Sequence, residues 1–269
     1  MKALCFTGSA LVEADIPQPQ PGAGEVLVRV LAAGVTPTEL QWYPTSHQKN
    51  GERRARAVLG HEFSGVIAAV GKDVSESVNV GELVYGMNDW FCDGATADYC
   101  VTLPSSIASI PARLTPIEAA SAPISVLTAW QGLFDHAHLQ RGERVLVHGG
   151  AGAVGSYAVQ LARYCGAHVI TTVSARNVGF VSELGANEVL DYRAVRFEET
   201  IRDMDVILDT VGGEILARSW GVLKPGGRMV TIASNAENAT DPRVKQAFFI
   251  VEPRRQQLIE AGALFAAGI

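Results

Sequence analysis

The sequence predicts an α/β fold in which a doubly wound parallel sheet follows a β-rich domain. Three observations carry this expectation. A β-branched run at 145–147 passes through Gly150, Gly152 and Gly155 straight into an amphipathic helical pattern. Beyond it, short apolar runs alternate with helical patterns, which implies parallel strands covered on both faces, with ligands beyond their carboxyl ends. Before it, β-like runs are broken by Pro and Gly, as in a compact all-β domain with loops crossing one end.

In chain order, residues 1–6, 25–32, 65–70 and 82–85 read as strands of the first part, with a turn at Gly71-Lys72-Asp73-Val74. A helical stretch at 116–134 leads into the second part. The boundary is placed at residue 123, giving domains 1–123 and 124–269. In the second domain, runs at 145–147, 168–174, 187–192, 205–211 and 227–233 predict five strands, with helical patterns at 177–184, 196–202 and 214–223 between the later ones. A further helix is expected around 256–263.

The glycine spacing G-x-G-x-x-G assigns a mechanical task to each residue. Gly150 allows the tight strand-to-helix turn, Gly152 lets backbone approach a pyrophosphate, and Gly155 lets the helix pack close to the strand. The helix N-terminus then offers unpaired N–H groups and a partial positive charge to an anion. Gly212-Gly213 and Ser234, which follow the fourth and fifth strands, would lie along the same crevice.

The end of the second strand discriminates between the two nicotinamide coenzymes. A site for the unphosphorylated form usually carries Asp or Glu about 20 residues past the glycines, bound to the ribose 2′-hydroxyl. Here the strand ends in Ser174, with Arg176 two residues on. A hydroxyl and a guanidinium can hold a 2′-phosphate through charge-assisted hydrogen bonds, whereas a carboxylate would repel it. NADP(H) is therefore expected; the alternative is that Arg176 is a solvated residue opening the next helix. Tyr192 ends the third strand near the adenosine end, and a plain surface tyrosine is the other reading.

Composition sets outer limits. The 269 residues suffice for two domains with their own cores. No apolar span reaches membrane length, and no signal peptide is expected ahead of the first strand. Cys5, Cys92, Cys100 and Cys165 are scattered, with no C-x-x-C pair, which suits a reducing cytoplasm. A net charge of −6 and no basic cluster beyond the short run at 53–56 argue against nucleic-acid binding. The partner expected is a small electrophilic molecule, with no membrane.

Many motifs in register resemble the medium-chain dehydrogenase/reductase superfamily, in its zinc-independent quinone-oxidoreductase-like branch. They are the runs at 24–30, 33–39, 59–67, 81–86, 93–99 and 127–130, the glycine turn, and the runs at 183–186, 190–193 and 209–213. The resemblance implies a GroES-like catalytic domain over 1–123, a Rossmann NADP-binding domain over 124–269, an active-site cleft between them, and a homodimer. It puts Thr128 near the nicotinamide carboxamide and Val154 behind the nicotinamide ring. Gly152, Ala153, Val154 and Gly155 would serve the pyrophosphate, Ser174, Arg176 and Tyr192 the 2′-phosphoribose. Phe249 and Val251 would fall where the family touches the carboxamide through backbone atoms.

Zinc-dependent relatives place a Cys where this chain has Thr36, keep a His at His61-Glu62, and place another Cys before the Leu127-Thr128-Ala129 helix. A catalytic zinc site needs about three protein ligands and a structural site four, so no metal is expected. Without a Lewis acid, alcohol oxidation loses its main assistance. Hydride transfer to a quinone or an α,β-unsaturated carbonyl needs much less, and orientation supplies most of the catalysis. Trp42, Trp90 and Phe91 could wall a flat apolar site or be ordinary packing aromatics. Thr36 and Tyr43 are the candidate catalytic residues, Tyr43 as proton donor. Two other readings stand: an NADPH-binding protein that is catalytically weak or idle, and a zinc alcohol dehydrogenase. Relative to the family pattern the sequence also ends early, after 264–269, so unpaired strand edges are expected in both sheets.

Overall fold

The computed structural model of the chain describes residues 1–36, 38–74 and 78–269; Pro37, inside the run at 33–39, lies outside the described residues. By internal contacts the chain divides into two units, Met1–Leu127 with Glu252–Ile269, and Thr128–Val251. Among the described residues no helix is long and apolar enough to cross a membrane.

The first unit contains β1 (Lys2–Phe6), β2 (Leu11–Asp15), β3 (Val26–Ala33), α1 (Tyr43–Ser46), β4 (Ala57–Val58), β5 (Glu62–Val70), β6 (Leu83–Met87), β7 (Tyr99–Thr102), β8 (Ile107–Ser109), α2 (Pro116–Ala120) and most of α3 (Pro123–Trp130). Its strands form two antiparallel sheets, ordered β2-β1-β4 and β7-β3-β5-β6-β8. Val26 and Val28 on β3 point to one face, as period-2 alternation requires, and pack with Phe63, Ile67, Val84 and Ile107. α2 starts at a reciprocal cap in which Thr115 accepts from Glu118 N–H and Glu118 accepts from Thr115 N–H. The strand runs expected at 1–6, 25–32, 65–70 and 82–85 all fall on observed strands.

The second unit contains β9 (Arg144–His148), α4 (Ala153–Cys165), β10 (His168–Val173), α5 (Val178–Glu183), β11 (Glu188–Asp191), α6 (Phe197–Thr200), β12 (Met204–Asp209), α7 (Gly213–Ser219), β13 (Leu223–Thr231) and α8 (Pro242–Ala247). All five strands are parallel, ordered β11-β10-β9-β12-β13. Val145, Leu146 and Val147 on β9 and Val206, Ile207 and Leu208 on β12 are completely buried, as central strands covered on both faces must be. β13 starts earlier than expected, at Leu223. Its register with β12 slips between Met204↔Leu223 and Val206↔Arg228, so Pro225 and Gly226 lie in an excursion that needs no ladder hydrogen bond.

One domain assignment is corrected. α9 (Arg255–Ala267) groups with the first unit rather than with residues 124–251. The Tyr85 hydroxyl donates to the Leu258 carbonyl at 2.6 Å, and the Arg255 guanidinium donates to the carbonyls of Ile107 at 2.8 Å and Pro104 at 3.3 Å. The break between units falls inside α3, at Leu127/Thr128, four residues beyond the expected boundary.

Candidate nucleotide-binding site

Strand order reverses beside β9: the chain runs outward to β10 and β11 on one side and returns through β12 to β13 on the other. Ligands of open α/β sheets bind at the carboxyl ends of the strands flanking such a reversal. Here that edge carries the loops at 149–152, 174–177, 192, 210–213 and 232–235.

The glycine turn divides its tasks differently from the sequence assignment. The left-handed backbone conformation that makes the tight turn is at Gly149, with φ +75°, and not at Gly150. Gly150 is required for another reason: a β-carbon on it would stand 2.0 Å from Thr171 Oγ1. Gly155 permits close helix–strand packing, as expected, since a β-carbon there would lie 2.2 Å from the Gly149 carbonyl oxygen. Gly152 is exposed and is the N-cap of α4, and no side chain caps that helix. Ala153 is exposed and Val154 half-buried, so the first turn of α4 presents uncapped N–H groups at the surface. This is an anion cradle built from backbone.

At the end of β10, Ser174 is half-buried and its carbonyl accepts from Asn177 N–H at 2.9 Å. Arg176 is exposed, and its guanidinium makes no hydrogen bond or ion pair among the described residues. Asp191, level with Val173 in the ladder, turns its carboxylate to Arg193 N–H at 3.0 Å. Tyr192 is half-exposed, its N–H donating to Val173 at 3.1 Å, and the Arg193 guanidinium lies 5.7 Å from its ring centre. Two cationic side chains and two hydroxyls thus share this rim.

The opposite side of the reversal is held by residues that sequence reasoning missed. Asp209, fully buried, accepts from the N–H groups of Val211 and Gly212, each at 3.0 Å, and from the Thr231 hydroxyl at 2.8 Å. It therefore fixes the turn after β12 to the end of β13. His148 is also fully buried. Its Nε2 faces Ser219 Oγ at 2.9 Å, whose hydroxyl donates to Ile215, so Nε2 carries the proton and Nδ1 accepts from Thr172 at 3.0 Å. Burial pushes this imidazole down to about 4, keeping it neutral. The only sequence signal was a polar residue closing an otherwise apolar strand.

The remaining expected cofactor residues are spread along the unit. Thr128 is buried on α3, and Ser234 is exposed in the turn after β13. Phe249 and Val251 are buried; the Phe249 ring lies 4.3 Å from that of His136, and its N–H is engaged with the Thr231 carbonyl at 3.4 Å.

In the first unit, Thr36 is half-buried, and its carbonyl accepts from Glu39 N–H at 3.0 Å. Tyr43 is half-exposed and stacks flat on His47 at 4.3 Å. Trp42 meets Trp90 edge-on at 5.0 Å, and Trp90 in turn lies 5.3 Å from the His61 ring. His61 Nδ1 is 2.6 Å from Glu39 Oε1, both side chains being buried. Among the described residues no three His, Cys, Asp or Glu side chains come together as a metal site.

Two family models match the chain: an alcohol dehydrogenase GroES-like domain at 22–115 and a zinc-binding dehydrogenase at 153–258. A probable zinc-binding mitochondrial oxidoreductase of Arthroderma benhamiae is 32% identical over 94% of this chain and 80% of its own length. The chain belongs to the medium-chain dehydrogenase/reductase superfamily. Within that superfamily of oxidoreductases it falls in the quinone-oxidoreductase-like branch. The quinone oxidoreductase of Coxiella burnetii superposes with a TM-score of 0.88 at 30% identity, covering 100% of this chain and 88% of that one. The CurK enoyl reductase superposes with a TM-score of 0.81 at 28% identity, covering 97% and 82%. The chain also matches polyketide synthases, of which it spans about a tenth. The GroES-like domain and the Rossmann sheet expected from the motifs are thus the observed fold.

Proposed function

We propose that the chain is an NADPH-dependent reductase that delivers hydride to a quinone or an α,β-unsaturated carbonyl without zinc. The observation that carries this reading is the uncapped glycine turn beside a β10 end that holds Ser174 and an exposed Arg176 without a partner among the described residues. The cradle fits a pyrophosphate because backbone N–H groups and the positive end of a 13-residue helix face outward there. Gly152, Ala153, Val154 and Gly155 would hold the pyrophosphate. Ser174, Arg176 and Tyr192 would hold the 2′-phosphoribose; Thr128, Phe249 and Val251 would line the nicotinamide end, and Ser234 would lie along the same crevice. When bound, the reduced coenzyme supplies the hydride.

The acceptor class follows from the donor set. Thr36 stands where a thiolate ligand would be needed, and its hydroxyl does not replace a zinc-binding sulfur. An acceptor that is already electrophilic suits a site without a Lewis acid. The similarity to a quinone oxidoreductase and an enoyl reductase agrees with that class. Thr36 and Tyr43 remain the proposed substrate-side residues, and a cytoplasmic homodimer the proposed setting.

The test is a titration of the full chain with NADPH and NADH, followed by turnover with duroquinone and 2-cyclohexen-1-one in excess chelator. NADPH should bind at least tenfold more tightly than NADH and be oxidised with the chelator present. No binding of either coenzyme, or turnover that chelation abolishes, overturns the reading.

A further inference from the structure

The chain holds one Asn-Gly pair, Asn50-Gly51, and it stands at the exposed tip of a hairpin in the first unit. His47 bridges Arg53 in antiparallel sense, Gln48 N–H donates to the Glu52 carbonyl at 2.7 Å, and Gly51 N–H donates to the Gln48 carbonyl at 2.9 Å. Gly51 has φ +87°, a conformation that residues with a β-carbon seldom take. The tip leans on Tyr43, whose hydroxyl would lie 3.8 Å from a β-carbon built on Gly51. Asn-Gly is a common pair for a hairpin tip. What sets this one apart is how its side-chain amide is held.

Both ends of the Asn50 amide are committed, and both to Glu52. Asn50 Oδ1 accepts from Glu52 N–H at 3.0 Å, and Asn50 Nδ2 donates to Glu52 Oε2 at 3.0 Å. The first contact is an Asx-turn, which closes a ring through Asn50 Cγ and the Gly51 nitrogen. It also sets a backbone donor on the oxygen that gains negative charge when that carbon is attacked. The second contact puts a carboxylate beside the nitrogen that would leave, where it can take up and return a proton. Gly51 adds no side chain to obstruct the approach. A polarised carbonyl, a leaving group on a proton carrier and a nitrogen one bond away in the chain are the parts of an intramolecular acyl transfer.

We propose that Asn50 is a self-modification site, deamidated by attack of the Gly51 nitrogen on its Cγ, with Glu52 holding the amide in place. Gly51 N–H first releases the Gln48 carbonyl, one hydrogen bond at an exposed tip. The bond from Gly51 N to Asn50 Cγ forms and that from Cγ to Nδ2 breaks. The Gly51 proton passes through the Glu52 carboxylate to Nδ2, which leaves as ammonia. Water then opens the cyclic imide at either carbonyl, giving Asp or its β-linked isomer at position 50. Either product adds a negative charge among the exposed Lys49, Arg53 and Arg56. The β-linked product also lengthens the backbone at the tip, which misaligns the His47–Arg53 bridge and slackens the Tyr43–His47 stack. None of this depends on the reductase reading.

The test incubates the full chain, folded and in urea, at neutral pH and body temperature, with the Glu52→Gln and Asn50→Gln variants alongside. Mass spectrometry of proteolytic peptides follows conversion of amide to acid. An isoaspartate methyltransferase with labelled S-adenosylmethionine counts the β-linked product. Asn50 should convert in the folded chain at least as fast as in urea, and faster than the exposed Asn238, which precedes Ala239. Glu52→Gln should slow conversion of the folded chain about tenfold and leave the rate in urea unchanged. In the wild type a second His47 resonance should grow in step with the β-linked product, and in Asn50→Gln it should not. Conversion slower in the folded chain than in urea overturns the inference, and so does a folded Glu52→Gln chain that converts at the wild-type rate. Methyl incorporation that survives undiminished in Asn50→Gln overturns it as well.

Discussion

Gly155 packs directly against Gly149, so that a β-carbon on the first would lie 2.2 Å from the carbonyl oxygen of the second. The obstructing atom is backbone at the turn itself and cannot rotate away. Gly155→Ala should therefore push α4 off β9, costing about 1–3 kcal/mol or more as an overpacked contact. The urea midpoint should fall and NADPH binding weaken together. An unchanged midpoint would show that the turn has more room than its geometry implies.

Arg176 projects from the turn after β10 with no hydrogen-bond or ion-pair partner among the described residues. Arg176→Ala should weaken NADPH binding by about 1.5–3 kcal/mol, roughly 10- to 150-fold, because a charged hydrogen bond to phosphate is lost. NADH affinity should scarcely change. Fluorescence titration with each coenzyme measures the ratio, and equal losses for both would remove the 2′-phosphate role.

Two buried groups titrate with opposite consequences for stability. Burial pushes Glu62 up to about 7 against an ordinary value of 4.5, with the nearby Glu39 adding to the rise and the Ile124 N–H opposing it. Its folded form favours the proton, so its contribution is full below about 4.5 and is lost as pH rises toward 7. His148 is held down to about 4 from 6.5, so its contribution is full above 6.5 and is lost as pH falls toward 4. Each is worth on the order of 3 kcal/mol at most. Urea unfolding read segment by segment by hydrogen exchange should show 62–87 weakening and 144–148 strengthening as pH rises from 4.5 to 7. Glu62→Gln should abolish the first slope and leave the second.

Tyr85→Phe removes the hydroxyl that Leu258 accepts from, at a cost of about 1 kcal/mol. Hydrogen exchange in 255–267 should quicken while that in 204–209 stays as it was. If both segments respond alike, α9 is not anchored chiefly through β6.

What could be read in advance was what local periodicity encodes. The apolar run at 145–147, the glycine spacing behind it and the later strand–helix alternation all involve neighbours within a few positions. Strands defined by their partners were less accessible. β4 has two residues, β8 three, and exposed β2 reads Leu-Val-Glu-Ala-Asp, so none carries a clear alternation of its own. Gly149 and Gly150 are adjacent, and spacing alone does not say which takes the positive φ. Contacts between distant segments were least accessible: Glu39 and His61 are 22 residues apart, and Tyr85 and Leu258 are 173 apart. Neither pair leaves a mark in a local window.

The grouping of 252–269 with 1–127 makes the second unit an insertion, an unbroken run whose two ends both return to the same host. On the ribosome the inserted unit has all its residues well before the host has its own. The amino-terminal sheets must therefore wait, partly assembled, for α9, which follows the inserted unit in the chain. Damage to that helix should appear as misfolding of 1–127, on the far side of the insertion.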